Sequence, residues 1–397
     1  MKKILAAVLL GLCALAALYG DFPHRRFEFG FDFDAGASNN VLGLDKIFNI
    51  RKTVELDLTS RKEQELRMDA AAAAGFFFNL KINDTYKIGF FAGGEGAGYG
   101  LANEELVRLL SRGNAATRDF GGKIEGGAGV FVDAGLRGEA RFGRLRLNLK
   151  PALFSPLIYI SKPDIHFENV FTEKGMHLNA VVDMDVYSAV SLEDDLSRIG
   201  FPSPLPLGFD IGAEGEYALF PFLDLGLGIT RIPVVPAILS HRMSQRMSYE
   251  VVFDDIYNSF TEGDFDLPEP ELDPVYEDDA FFPVLRPLRV EFFADIKPVK
   301  TDLLVIRPDI GFSVLTVYGY DAACFNAGIR GEVNLFDIGR FYIGTGYREW
   351  VWANSFGFAV NLRVFELKGE IRLQGPDFVN SLKPAGLGAA LGLRFGY

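Results

Sequence analysis

Apolar and polar residues alternate along most of this chain. Phe27, Phe29, Phe31 and Phe33 are interleaved with Glu28, Gly30, Asp32 and Asp34, so four rings share one face and three acids plus a glycine share the other. A period of two is the signature of a β-strand, whose successive side chains point to opposite faces. The pattern returns throughout. Tyr86, Ile88, Phe90 and Ala92 oppose Lys87, Gly89, Phe91 and Gly93, and Leu145, Leu147 and Leu149 oppose Arg146, Asn148 and Lys150. Leu288, Val290, Phe292 and Ile296 oppose Arg289, Glu291, Asp295 and Lys297, and Phe325, Ile329 and Val333 oppose Asn326, Arg330 and Glu332. Strands are predicted near 27–36, 70–82, 86–97, 122–142, 145–158, 175–190, 207–219, 223–233, 288–298, 303–315, 325–336, 341–350, 355–364, 366–374 and 386–397.

The chemistry of the two faces decides the fold class. A soluble sandwich hides its apolar faces in a dry core, which does not tolerate charges of both signs in the middle of strand after strand. A transmembrane barrel has the opposite layout, apolar toward lipid and polar or small toward a wet lumen. Many of these strands run ten or more residues, enough to cross a bilayer at a tilt, whereas soluble strands average about 5–6. An all-β, transmembrane antiparallel β-barrel is therefore expected. Composition agrees: the 397 residues include 43 Gly and 37 Phe, and the formal charge of −13 argues against a nucleic-acid partner.

The chain ends on Leu387, Ala389, Leu391, Leu393, Phe395 and Tyr397 at alternate positions. This resembles the closing strand of bacterial outer-membrane β-barrels, in which the terminal aromatic is read by the barrel-assembly machinery; Leu391, Leu393, Phe395 and Tyr397 match that assembly signal. The general layout (exported, Phe-rich, a barrel of about fourteen strands) is similar to the FadL-like long-chain fatty-acid transporter family. There an N-terminal hatch plugs the lumen and a kinked strand opens a lateral path for hydrophobic substrates. The chain departs from that pattern in having only about ten residues between its expected mature start and its first strand, and no Asn-Pro-Ala-type segment. Asn39 to Leu44 and Leu106 to Asn114 also resemble a further family of diderm-bacterial barrels grouped with it.

The fifteen predicted strands do not suit a barrel with an even count, and the short turns at the two ends of the chain fall out of phase between 145 and 207. One strand there is missed or superfluous, so fourteen or sixteen are expected, with fourteen preferred. Either number leaves a lumen or a plugged channel. Three insertions interrupt the pattern. Residues 37–69 end in a charged run from Arg61 to Arg67. Residues 98–121 carry apolar positions at helical spacing and either fold into the lumen or lie on its rim. Residues 234–287 are the longest and are expected to face outside. Their stretch from Glu262 to Asp279 holds nine acids and no base, with Pro268, Pro270 and Pro274 keeping it extended; a solvated loop is expected, with divalent bridging to lipopolysaccharide or a partner as the alternative.

Lys2 and Lys3 precede an apolar run from Ile4 to Leu18, and Ala14-Leu15-Ala16 forms a small-x-small site, as in a secretory signal peptide over 1–20. Lipidation at Cys13 is the alternative. The mature domain, 21–397, would retain Cys324 alone, so no internal disulfide is expected. No His-Glu-x-x-His or Gly-x-Ser-x-Gly pattern occurs, and the four histidines form no obvious site. No enzyme activity, metal or cofactor is expected. The expected function is passage of a hydrophobic or amphipathic solute such as a fatty acid through the outer membrane, with outer-membrane lipid as surroundings. A general porin, or an adhesin acting through 234–287, is the alternative.

The residues expected to line the lumen are Glu28, Asp32, Asp34, Lys81, Lys87, Arg137, Glu139, Arg146, Lys150, Asp210, Glu214, Arg289, Glu291, Asp295, Arg307, Asp309, Arg330, Glu332, Arg363, Glu370 and Arg372. A slip of one residue would put them in lipid, at about 2–4 kcal/mol for each Arg or Lys near the midplane. Cysteine scanning tests the phase in a Cys324-free background. Arg330 and Glu332 replaced by Cys should react with a water-soluble thiol reagent in vesicles, and Ile329 and Val333 replaced by Cys should not; the reverse pattern would make this a soluble β protein.

Overall fold

The computed structural model describes residues 26–39, 65–105, 120–172, 175–191, 205–253, 274–299, 303–314, 323–335, 338–348, 351–362, 364–375, 377–382 and 385–396. The predicted signal peptide, Arg363, Tyr397 and most of the acidic stretch lie outside them. Among the described residues nineteen strands follow one another: β1 (Phe27–Asn39), β2 (Leu66–Lys81), β3 (Tyr86–Ala102), β4 (Phe120–Phe142), β5 (Leu145–Thr172), β6 (Gly175–Ser188), β7 (Gly208–Phe220), β8 (Leu223–Val235), β9 (Ala237–Leu239), β10 (His241–Phe253), β11 (Val275–Glu277), β12 (Phe282–Val284), β13 (Leu288–Ile296), β14 (Leu304–Val314), β15 (Ala323–Leu335), β16 (Gly339–Arg348), β17 (Val351–Leu362), β18 (Phe365–Gly375) and β19 (Gly386–Gly396). A single helical turn, α1 (Phe378–Ser381), precedes the last strand.

The sheet closes on itself. Each strand pairs antiparallel with the next from β1 to β5, then β5 with β7, β7 with β8, β8 with β13, and each with its successor to β19. The ring is completed by β19 on β1, in a register running from Glu28 opposite Gly396 to Ala37 opposite Leu387. Among the described residues sixteen strands are long; fourteen form the closed circuit and two, β6 and β10, stand outside it. The surplus strand in the sequence-based count is thus β6. The 28-residue β5 splits its pairing, its first half on β7 and its second half on β6. β6 then pairs with β10, and β10 with β11, in an arm that prolongs the wall beyond one end of the ring.

Connections alternate in length. One end of the ring has tight turns, including Gly143-Arg144, where Gly143 takes the positive φ of 61° that a side chain would resist. The other end carries the long connections. The outer face holds the apolar half of each alternation, with Phe31, Phe33, Ile310, Phe325, Ile343, Phe356 and Ile371 all exposed.

The inner face is where the closed ring packs. Aromatic side chains on that face lie over glycines directly across from them: Phe77 opposite Gly30, Phe91 opposite Gly135, Phe293 opposite Gly226 and Tyr342 opposite Gly357. A Cβ at Gly30 or Gly135 would come within 2.7 Å of a ring carbon, and at Gly226 or Gly357 it would overlap the ring outright. The rings therefore lie along the wall over those glycines. Three of these four joints predict instability on substitution. Gly226→Val, Gly357→Val and Gly135→Val should each destabilise the barrel in micelles by about 1–3 kcal/mol of overpacking, read as a lowered unfolding midpoint. Gly331→Ala, where an added Cβ meets nothing within 4 Å, should leave it unchanged.

Candidate translocation path

The inward face is a lattice of ion pairs, several of which skip a strand. Lys87 of β3 reaches over β2 to Glu28 of β1 at 3.3 Å, Arg330 of β15 reaches Glu370 of β18 at 3.3 Å, and Arg348 of β16 reaches Asp309 of β14 at 3.2 Å. Such bridges run on the concave side of the ring. Arg146 joins Glu139 and Glu216, Arg307 joins Asp295 at 2.5 Å, Arg372 joins Asp34, Arg340 joins Glu332 and Lys297 joins Asp224. Glu370 also accepts a hydrogen bond from the Tyr342 hydroxyl at 2.9 Å. Of the residues expected in the lumen, Lys81 sits at the short-turn end with Asp84, and Glu291 lies 3.8 Å from Arg348. Arg289 stands near Arg231. Lys150 stands within charge range of Arg137 and Glu214; among the described residues neither cation makes an ion pair, and Arg137 Nε is buried with no partner.

Toward the long-connection end an inward-folded strap lines one side of the bore. The 234–287 insertion does not stay outside as a whole. Its two ends fold inward as a miniature sheet, β9 on β12. Ala237, Leu239 and Val284 are buried against Phe131, Phe154 and Tyr159 of β4 and β5. Phe282 stacks on Tyr187 of β6 with centroids 3.9 Å apart. This is a dry core inside the barrel. The physical reason is legible after the fact: Phe131 and Phe154 occupy inward phases and require an apolar partner there, which Ala237, Leu239 and Val284 supply.

Arg286 fixes this plug to the wall. It is 4% exposed, donates two hydrogen bonds to Asp210 of β7 at 2.8 and 2.9 Å and one to Asp133 of β4 at 2.5 Å, and lies over the Phe154 ring. Glu95 of β3 is 3.9 Å away and is itself paired with Arg231 of β8. Arg231 has a φ of 62°, and the β7–β8 register shifts beside it, between Ile211 and Ala213. The bulge turns the Arg231 side chain across the bore. Of these five charges only Asp210 was among the expected lumen residues. The others could have been found from the proline-flanked Arg286 and from acids at inward phases, since a buried arginine needs more than one carboxylate.

Above the plug the arm is held by Arg242 on Asp185 and Arg246 on Asp183. The Asp185 hydrogen bond holds the Arg242 guanidinium above its usual range, and burial pushes the Tyr187 phenol up. His241 pairs with Asp278.

The wall beside the plug is thin. Inward Gly75 and Gly93 face each other, as do outward Ala74 and Gly94. Ala70 to Ala74, Ala92 to Gly94, and Gly96 to Gly98 leave β2 and β3 almost without side chains in this stretch. On the outer face this leaves a hollow of about 460 Å³, floored by Ala74, Gly75 and Ala92 to Gly94 and walled by Phe31, Phe33, Phe76, Leu391 and Leu393. Gly93 connects floor and plug: a Cβ there would lie 3.2 Å from the Asp133 carboxylate that holds Arg286.

No family model matches this chain, and no curated protein does. Solved structures do. The monoaromatic hydrocarbon channel TodX, in its deltaS2S3 mutant form, aligns over 94% of this chain and 91% of its own, with 8% identity and a TM-score of 0.51. The Ralstonia pickettii toluene transporter TbuX aligns at 8% identity over 94% and 90%, with a TM-score of 0.49, and a Pseudomonas aeruginosa FadL homologue at 8% over 94% and 90%, with 0.44. The first of these likenesses shows a shared fold, a closed, antiparallel, all-β barrel.

The plug generates a direct expectation. Arg286→Gln leaves Asp210 and Asp133 buried without their cation, which costs several kcal/mol in such settings. The strap should detach while the ring stays closed. Vesicles carrying the variant should admit charged dyes or large polar antibiotics at rates at least tenfold above wild type, with unchanged heat-modifiable migration on gels. Unchanged permeability would mean that the apolar core alone seats the plug.

Proposed function

We propose that the protein is an outer-membrane channel for hydrophobic and amphipathic small molecules. The observation that carries this reading is an apolar strap folded into the bore with an apolar hollow in the wall at its edge. A general porin needs an open polar bore, whereas here Leu239, Val284 and Arg286 fold inward against β4, β5 and β7. The shared fold with a monoaromatic hydrocarbon channel supports the same reading. In this orientation the tight turns face the periplasm, the exposed Phe and Ile band meets lipid, and the paired charges line a wet interior. Outer-membrane lipid and the barrel-assembly machinery are the partners this implies, the latter reading the final strand through Leu391, Leu393, Phe395 and Tyr397. The neighbouring structures are channels rather than enzymes, in keeping with a transport role.

Below the strap, Arg137 and Lys150 are cations without an ion pair among the described residues, Arg137 two residues along β4 from Gly135, over which the Phe91 ring lies. They suit a solute with an apolar body and an anionic head, because a carboxylate would find donors not already engaged. Liposome uptake tests both levels of the proposal. Toluene and dodecanoate should enter vesicles bearing the protein, and small sugars should not. Arg137→Gln with Lys150→Gln should slow dodecanoate about tenfold or more and leave toluene unchanged. Sugar uptake at rates like those of dodecanoate would favour the porin instead. Failure of all three solutes would point to the arm, and hence to adhesion.

A further inference from the structure

Among the described residues the outer face of the barrel strands is apolar almost everywhere, and a polar interruption stands on β16 and β17. On β16, Thr345 shares the outward phase of Phe341 and Ile343, which are 56% and 58% exposed. On β17, Asn354 shares the phase of Phe356 and Phe358 and lies opposite Thr345. A hydroxyl and an amide here would sit on the surface that lipid covers, where unpaired polar groups are costly. They are not left open. The connection from β18 to β19 folds back over the outside of the wall and lays α1 on them.

The hydrogen bonds form one continuous chain. The Trp352 indole N–H donates to Thr345 Oγ1 at 2.8 Å, and the Thr345 hydroxyl donates to Asn354 Oδ1 at 2.6 Å. The Asn354 amide donates to Ser381 Oγ at 2.7 Å, and the Ser381 hydroxyl donates to the Phe378 carbonyl at 2.7 Å. Ser381 is fully buried and Asn354 nearly so. The Phe378 ring meets the Trp352 ring edge-on at 5.7 Å. The segment is pinned at its far end too, since Ala385 donates its N–H to the Gln374 carbonyl and accepts from Asn39. With its polar side spent on the wall, this turn presents Phe378, Val379 and Leu382 outward, 47%, 67% and 57% exposed.

We propose that α1 is a membrane-interface anchor: a lipid-contacting clip on the outside of the barrel that docks Phe378, Val379 and Leu382 into the acyl boundary of the outer leaflet. The inference rests on the membrane-spanning orientation given under the proposed function. Two observations single out lipid as the occupant. The exposed side chains continue the apolar band formed by Ile343, Phe356 and Ile371 on the strands beneath, and Trp352 with Tyr347 supplies the aromatic pair typical of the headgroup level. The polar chain marks the depth at which the wall passes from hydrocarbon to headgroups. A barrel held at this level keeps the hollow over Ala74 and Gly94 within the same bilayer.

The test uses the full barrel in phosphatidylcholine vesicles, in a cysteine-free background. A polarity-sensitive bimane probe goes on Val379→Cys, and in a separate protein on Ile371→Cys, which lies in the apolar band itself. Spin-labelled lipids carrying nitroxide at the 5 or 12 position of the acyl chain quench from the membrane, and iodide quenches from water. The probe at 379 should be quenched more by the 5-position than by the 12-position nitroxide, and weakly by iodide. Adding Ser381→Ala should raise iodide quenching at 379 severalfold while leaving 371 unchanged. If 371 is quenched by lipid but 379 only by iodide, the anchor is wrong and the membrane orientation stands. Were 371 also quenched only by iodide, the membrane reading itself would fail. Shielding of 379 from both quenchers, with disulfides forming between copies, would assign the surface to a second copy of the chain and overturn lipid as its occupant.

Discussion

Closure of the sheet is the constraint on which everything else depends. In an apolar surround each unpaired backbone N–H or C=O costs several kcal/mol, and a closed ring is the way a sheet avoids exposing an edge. Here the closing seam is ten residues long, between β1 and β19, and sets the register of both ends of the chain at once. Once the ring is shut, period two does the sorting. Every odd or even position is committed to inside or outside, and a charged inner face follows from a Phe-rich outer one.

Closure also gives glycine two opposite uses. Where a glycine faces an aromatic residue across the ladder, the ring fills the space above it and the wall becomes thicker and stiffer, as at Phe293 over Gly226 with Arg307 stacked 4.7 Å above the ring. Where a glycine faces a glycine, as Gly93 faces Gly75, no ring lies over the pair, and only the Asp133 carboxylate approaches Gly93 from inside. Such pairs recur at Gly328 opposite Gly346 and Gly36 opposite Gly388, but on β2 and β3 the pair lies in a run of alanines and glycines. The composition alone, 43 glycines among 397 residues, does not distinguish them; pairing partners do.

The alternation carried the fold because each strand declares its faces locally. Residues 325–336 or 86–97 can be read without knowing their neighbours. The number of strands in the circuit was harder, since β6 has the same alternating texture as a wall strand and only its pairing with β10 sets it apart. The phase conflict between 145 and 207 was nevertheless a true sign that one strand did not belong. The plug was hidden for another reason. Ala237 to Leu239 and Phe282 to Val284 are three-residue strands far apart in sequence, too short to show a period, and they matter only because Phe131 and Phe154 wait for them on the inner wall. Likewise Thr345, Asn354 and Ser381 look like ordinary polar residues until the register sets the first two side by side on the outer face. Local pattern reveals faces; contacts between distant segments do not appear in it.

The plug's origin bears on how the barrel works. A hatch at a chain terminus can leave by unthreading, because one end is free. This plug is tethered at both ends, by β8 before Ala237 and by β13 after Arg286, whose next residues are Pro287 and Leu288. It cannot leave without breaking the bonds from Arg286 to Asp210 and Asp133, and a buried arginine released from two carboxylates faces a large desolvation penalty at every intermediate position. Full withdrawal is thus the expensive motion and local displacement the cheap one. The carboxylate of Asp133 lies over Gly93, 3.2 Å from where a Cβ would stand, so the latch and the thin wall meet at one residue. Under the proposed function, that juxtaposition favours a path through the side of the barrel over a path along its axis.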